Sequence, residues 1–175
     1  MAIKKIVQKD TPVLRKTALP VADGEFGSPE LRKLIKDMRE SLDACEDGVG
    51  LAAPQVGVSK RLFIVSSKVF LTAENENDQQ RDVALVFVNP KIEKLSKTHS
   101  HLEEGCLSVR GKYGYITRAD KARIRAQDED GKHFTYSASN LLAEIFQHEI
   151  DHLDGILYID KATDIHDAPI PESHE

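Results

Sequence analysis

Two histidines stand four residues apart, with a glutamate directly after the first, in the run His148-Glu149-Ile150-Asp151-His152. On a helix, side chains at this spacing share a face, so both imidazoles can address one ion. Glu149 sits one position round, where its carboxylate can reach a water on that ion without being a ligand. The chemistry this pattern suits is hydrolysis by a metal-activated water. The same pattern also arises as two solvated histidines on an amphipathic helix. Here Leu141, Leu142, Ile145, Phe146 and Leu153 make the helix apolar on both sides of the motif. Such a segment is meant for burial, where unpaired imidazoles are costly.

A catalytic ion of this kind needs three protein ligands and an open position. In one protease pattern the third ligand is a histidine where this chain has Tyr158, although the glycine of that pattern is matched by Gly155. In another it is a glutamate further downstream, where only Glu172 and Glu175 stand. A better source lies upstream, in Glu104-Gly105-Cys106-Leu107-Ser108. A Cys106 thiolate beside two histidines suits zinc or ferrous iron. The plainer alternative for Cys106 is a small buried hydrophobe. Cys45 takes that plainer reading, because it falls on the apolar stripe of a helix.

A third constellation is Gly48-Val49-Gly50-Leu51-Ala52-Ala53-Pro54-Gln55-Val56-Gly57. Its glycines permit tight turns and close backbone approach to a ligand. Gln55 is a neutral amide able to donate to a developing oxyanion. The lysine and hydroxyl of a phosphate loop are missing. Taken alone, the segment is equally a structural loop between a helix and a strand.

These residues need elements to hold them. Residues 28–46 form the first helix: Ser28 caps it, Pro29 suits the first position, and Leu31, Leu34, Ile35, Met38, Leu42 and Cys45 recur at the helical period. Gly48 and Gly50 stop it. Strands are expected at 61–67 and 83–90, rich in Val, Ile and Phe, with a polar loop between them. A hairpin joins 121–127 to 132–138 and turns at Asp130-Gly131. The second helix, 139–153, carries the histidines and ends before Gly155. The last fifteen residues are expected to fray. The fold class is α+β, without the regular strand–helix alternation of a doubly wound sheet.

Composition bounds the rest. A chain of 175 residues is one ordinary domain, with 40% hydrophobic and 30% charged residues. No apolar run is long enough to span a bilayer. Two cysteines cannot frame a secreted fold, and the N-terminus has no signal-like apolar core. The net charge of −5 makes nucleic acid a poor first guess as a direct partner.

In this order, GVGLAAPQVG, EGCLS and QHEIDH resemble the three signature motifs of the peptide deformylase family. Pro12-Val13-Leu14-Arg15, Pro20-Val21 and Asn89-Pro90 are similar to that family as well, so the resemblance runs from about residue 3 to 160. It implies an α+β fold in which antiparallel strands surround a central helix carrying HExxH, with an N-terminal helix added. Residues 1–160 would form one catalytic domain and 161–175 a polar tail. The implied activity removes the N-formyl group from the formylmethionine of new polypeptides and releases formate.

Position by position, the resemblance implies Cys106, His148 and His152 as metal ligands and Glu149 as the acid–base. Gln55 and the Leu107 backbone N–H match the oxyanion donors. Val49, Gly50, Leu102, Glu104, Gly105, Leu141, Glu144 and Ile145 fall along the substrate and its methionine pocket. The implied cofactor is one divalent ion, Fe²⁺ first, with Ni²⁺ or Zn²⁺ as alternatives. The implied partners are formyl-Met nascent peptides in a bacterial cytoplasm, with transient ribosome encounter and no membrane. No nucleic-acid-binding motif is present.

The chain departs from the pattern in places. Arg110 stands where a proline usually follows EGCLSV, and Glu144 where many relatives carry an apolar residue. The end of the chain is acidic, unlike the basic helix with which some relatives dock on the ribosome. The competing readings are an HExxH metalloprotease, which would tolerate Cys106→Ser, and a non-catalytic metal-binding domain, which would release no formate.

Overall fold

The structure is a computed structural model and describes residues 3–70 and 84–168. Its centre is a five-stranded antiparallel sheet in the order β1-β2-β3-β6-β7. The strands are β1 (Gly50–Ala52), β2 (Leu62–Val65), β3 (Leu85–Leu95), β6 (Lys121–Gln127) and β7 (His133–Ser139). A second sheet joins β4 (His99–Gly105), β5 (Lys112–Ala119) and β8 (Thr163–Asp167) in the order β4-β5-β8.

Alternation along the strands splits the core in two. Phe63, Val65, Phe87, Ile124 and Ala126 face one way and meet Ile145, Phe146, Ile150 and Leu153 of the central helix, Asn140–Leu153. Phe63 stacks on Phe87 at 4.8 Å, and Phe87 meets Phe146 edge-on at 5.0 Å. Such ring pairs add about 0.5–1.5 kcal/mol each beyond their buried area. Leu62, Ile64, Val86 and Val88 face the other way and meet Leu31, Leu34, Ile35, Met38 and Leu42 of the N-terminal helix, Pro29–Asp43. The central helix also contacts β5, which brings the second sheet to its flank.

The N-terminal helix starts as expected, with the Ser28 hydroxyl accepting from the Leu31 N–H at 3.2 Å. It ends at Asp43, three residues before the expected 46, because the Cys45 N–H tightens onto the Leu42 carbonyl at 3.0 Å. Cys45 is accordingly half-buried and stands outside the apolar clusters. The hairpin turns where expected, with Gly131 at φ +88°. The strand expected at 61–67 is shorter, Leu62–Val65, since a single helical turn follows at Ser67–Phe70. The strand expected at 83–90 instead runs to Leu95, passing Pro90 through register shifts opposite β6. Val83 and the polar loop before it lie outside the described residues.

Part of the segment expected to fray is a strand. Residues Thr163–Asp167 form β8 and pair with β5, and Lys112 meets Asp167 at 2.6 Å. Every β8 residue is exposed, so no apolar alternation announced it. Residues 169–175 lie outside the described part.

Candidate metal centre

His148 and His152 lie one turn apart on the central helix, with ring centroids 4.9 Å apart. β4 delivers the third group: the chain leaves Gly105 into a turn closed by the Val109 N–H on the Cys106 carbonyl. This places the Cys106 sulfur 3.2 Å from His152 Nε2. The donor atoms of Cys106, His148 and His152 all lie within 4.8 Å of one another. Nitrogen and thiolate ligands stand at about 2.0–2.3 Å from a small divalent ion, so the three fit around one.

The rest of the site is aimed by fixed partners. Gln55, 1% exposed, sits on the 3₁₀ turn Ala53–Val56 directly after β1. Its Oε1 accepts from the Ala52 N–H at 2.8 Å, which commits the oxygen to backbone. Its Nε2 therefore points inward, 3.2 Å from Ser108 Oγ and 3.6 Å from the Cys106 sulfur. Glu149 is buried, and its Oε2 has no protein partner. A Cβ on Gly50 would lie 2.6 Å from Glu149 Oε1, so only glycine lets β1 come this close.

Behind the histidines is a buried ion-pair chain. Arg118 of β5 donates to both oxygens of Glu104, at 2.8 and 3.1 Å, and to Asp151 at 2.6 Å. Glu104 Oε2 accepts from His148 Nδ1 at 2.9 Å. A carboxylate can only accept here, so Nδ1 carries the proton and Nε2 is free for an ion. Asp151 continues the chain to Lys161 at 3.0 Å.

Burial and charge shift the titrations. Burial alone would raise Glu104, but hydrogen bonds from His148 and Arg118 bring it down to about 2. Burial raises Glu149 to about 7, against the pull of His148. Burial also raises Glu144 to about 7, with Glu104 adding to it. Burial would lower His148, yet Cys106, Glu104 and Glu149 hold it well above the usual imidazole range. Burial and then the charges of His148 and Arg118 lower His152. With Cys106, Glu104 and Glu149 round His148, the pocket is arranged to receive a positive charge, which a bound ion would supply at Nε2.

The centre opens on a cleft of about 580 Å³. Val49, Gly50, Gln55, Gly105, Leu107, Leu141, Glu144, Ile145 and Glu149 line it, together with one face of Glu104, Cys106 and His148. His152 is wholly buried behind them. Leu102 lies outside this lining, on β4 opposite Ile116. Sequence reasoning missed Arg118 and Ser108. Arg118 carried one signal: it shares the inward phase of β5 with Gly114 and Ile116, where a charge is out of place.

What this geometry can do is hold an ion beside a buried base and a polarising amide, and that defines a metal-dependent hydrolase. The family model "polypeptide deformylase" matches residues 3–168. A peptide deformylase of Symbiobacterium thermophilum is 44% identical over 177 aligned positions, covering 100% of this chain and 73% of that protein. One of Leptospira biflexa is 38% identical, covering 92% and 88%. Among solved structures, a class I type b peptide deformylase from Acinetobacter baumannii superposes with a TM-score of 0.81 at 34% identity, covering 92% and 99%. The Thermotoga maritima peptide deformylase gives 0.80 at 33%, covering 93% and 99%. The chain belongs to the polypeptide deformylase family. Its activity is removal of the N-formyl group from new polypeptides.

Proposed function

We propose that Cys106, His148 and His152 hold one Fe²⁺ ion and that Glu149 is the acid–base of deformylation. The observation that carries this is the thiol of β4's outgoing turn meeting His152 at 3.2 Å beside a buried carboxylate raised to about 7. A bound divalent ion supplies Lewis acidity and a water of lowered pKa. Glu149 then takes the water proton on its unpartnered oxygen as the formyl carbon is attacked, and returns it to the leaving amine. Gln55 Nε2 and the Leu107 N–H donate to the oxyanion. Glu104 acts by holding His148 rather than by touching substrate, since both its oxygens are engaged.

Gly50 and Gly105 present backbone along the polypeptide. The methionine side chain lies against Val49, Leu141 and Ile145. Val49 is 39% and Leu141 47% exposed, and each is apolar surface that a bound methionine would cover. Covering it is worth about 1.5–3 kcal/mol. Glu144 makes one wall of this pocket polar, and Leu102, away from the cleft, receives no contact. Residues 3–168 act as one catalytic unit in a bacterial cytoplasm, in line with the bacterial relatives.

Formate release from formyl-Met-Ala-Ser, with and without chelator, tests the reading. Glu149→Ala should keep its metal yet lose about 10²–10⁴ in kcat. Near-normal release by that variant refutes the assigned role.

A further inference from the structure

The overall charge hides a local asymmetry. On the face of the five-stranded sheet where the N-terminal helix lies, that helix covers Leu62, Ile64, Val86 and Val88. Gln127 pairs with Val88, so the outward row of β6, Lys121, Arg123 and Arg125, continues the same face. Lys91 pairs with Arg125 and Lys94 with Arg123, which puts two more cations on it. All five are exposed, and no described residue covers this part of the face. Two carboxylates bear on them: Glu93, 3.4 Å from Arg123 and 3.7 Å from Arg125, and Asp120, whose charge reaches Lys121. Lys91, Lys94 and Lys121 have no ion-pair partner among the described residues. The acids of the hairpin turn bound one end and are turned elsewhere. Glu129 meets Arg39 at 3.4 Å, and Asp128 accepts from the Asp130 and Lys132 N–H groups.

The face is also shaped. A hollow of about 500 Å³ is walled by Lys94, Lys121, Arg123 and the serines Ser96, Ser137 and Ser139, with Leu95, Ala122 and Ala138 between them. A second, of about 290 Å³, is walled by Lys91, Arg125, His133, Asn89 and Gln127. Exposed cations with the Ser137 and Ser139 hydroxyls between them can bind phosphate oxygens, while the Asn89 and Gln127 amides are committed to backbone carbonyls and to each other.

We propose that this face, β3–β6–β7 beyond the N-terminal helix, is a docking surface for the phosphate backbone of folded RNA. The choice of RNA among polyanions rests on the deformylase activity, whose substrates are new polypeptides and therefore emerge beside ribosomal RNA. The contact is sequence-independent and leaves the cleft free, since none of the five cations lines it.

The test uses metal-loaded protein and a labelled RNA duplex of about 16 base pairs, read by fluorescence anisotropy. Neutralising about four phosphates predicts affinity falling roughly a hundredfold between about 50 and 200 mM salt. Lys94→Glu with Arg123→Glu should weaken binding on the order of tenfold or more and flatten the salt slope by about two, while kcat/KM on formyl-Met-Ala-Ser stays unchanged. The neutral pair Lys94→Gln and Arg123→Gln serves if the reversed pair does not fold. No binding at low salt, binding indifferent to these substitutions, or equal binding to polyglutamate overturns the inference. Failed RNA binding with formate release intact overturns this surface alone; lost formate release from the unaltered protein overturns the activity instead.

Discussion

Glu104→Gln removes the charge on which the buried chain behind the metal centre turns. In the folded protein Glu104 titrates near 2 rather than 4.5, because Arg118 and His148 donate to it. A depressed carboxylate contributes stability that is present above its unfolded pKa and lost as pH falls through its folded one. Two and a half units correspond to about 3 kcal/mol at neutral pH, and about 2 kcal/mol of that is gone by roughly pH 3. Arg118 would keep Asp151 at 2.6 Å but lose its two-point Glu104 partner, a direct cost of up to about 3–5 kcal/mol. The assay is urea unfolding of metal-free wild type and Glu104→Gln from about pH 7 to 3. His148, Glu144 and Glu149 also feel the Glu104 charge, so the difference reports the cluster that Glu104 anchors. It should narrow by about 2 kcal/mol toward pH 3. A second readout is metal affinity, expected to fall about 10–100-fold as His148 loses its orienting acceptor. A pH-independent difference with unchanged metal affinity refutes the reasoning.

Three further outcomes follow from single contacts. Cys106→Ser should weaken metal affinity beyond the roughly 100-fold typical of losing an outer partner, measured by chelator competition. Gly50→Ala should retain the metal but lose about 100-fold in kcat/KM, because the new methyl displaces the Glu149 carboxylate. Gly155→Ala should lower stability by about 1–3 kcal/mol in thermal unfolding, since Gly155 has φ +75° and its Cβ would lie 2.9 Å from the Arg15 backbone. In that variant kcat at low temperature should be unchanged.

Legibility in the sequence followed apolar periodicity. Both long helices and the β6–β7 hairpin were readable because their apolar patterns are strong, with a Ser28 cap on the first helix, although Ser139 makes no side-chain cap on the second. β1 was hidden in the glycine-rich segment, where three small or apolar residues look like loop and only pairing with β2 makes them strand. β4 and β5 were hidden because half of each faces water and the inward half includes Glu104 and Arg118, and β8 because all of it is exposed. The three motifs were legible as residue types, and the structure brings them to one cleft. The clamp on His148 was not legible, because an Arg–Glu–His contact spans separations that no local pattern reports. Asp151 could be suspected as an outer partner of the histidines from its position between them; its contact with Arg118 required the fold.

The three donors around the ion differ in stiffness. Both imidazoles ride on one helix, braced on one side by Arg118 and on the other by the phenylalanine core, so their separation is set like the jaws of a fixed gauge. The sulfur hangs from a turn flanked by Gly105 and Gly111, and Gly111 has φ +76°. That turn is the compliant side of the mount. An ion of different radius or preferred angle can be met by a small swing of the thiol, with no cost to helix packing. A mount of this kind would accept divalent ions of several radii, and the half-exposed Cys106 thiolate is the donor open to oxidation.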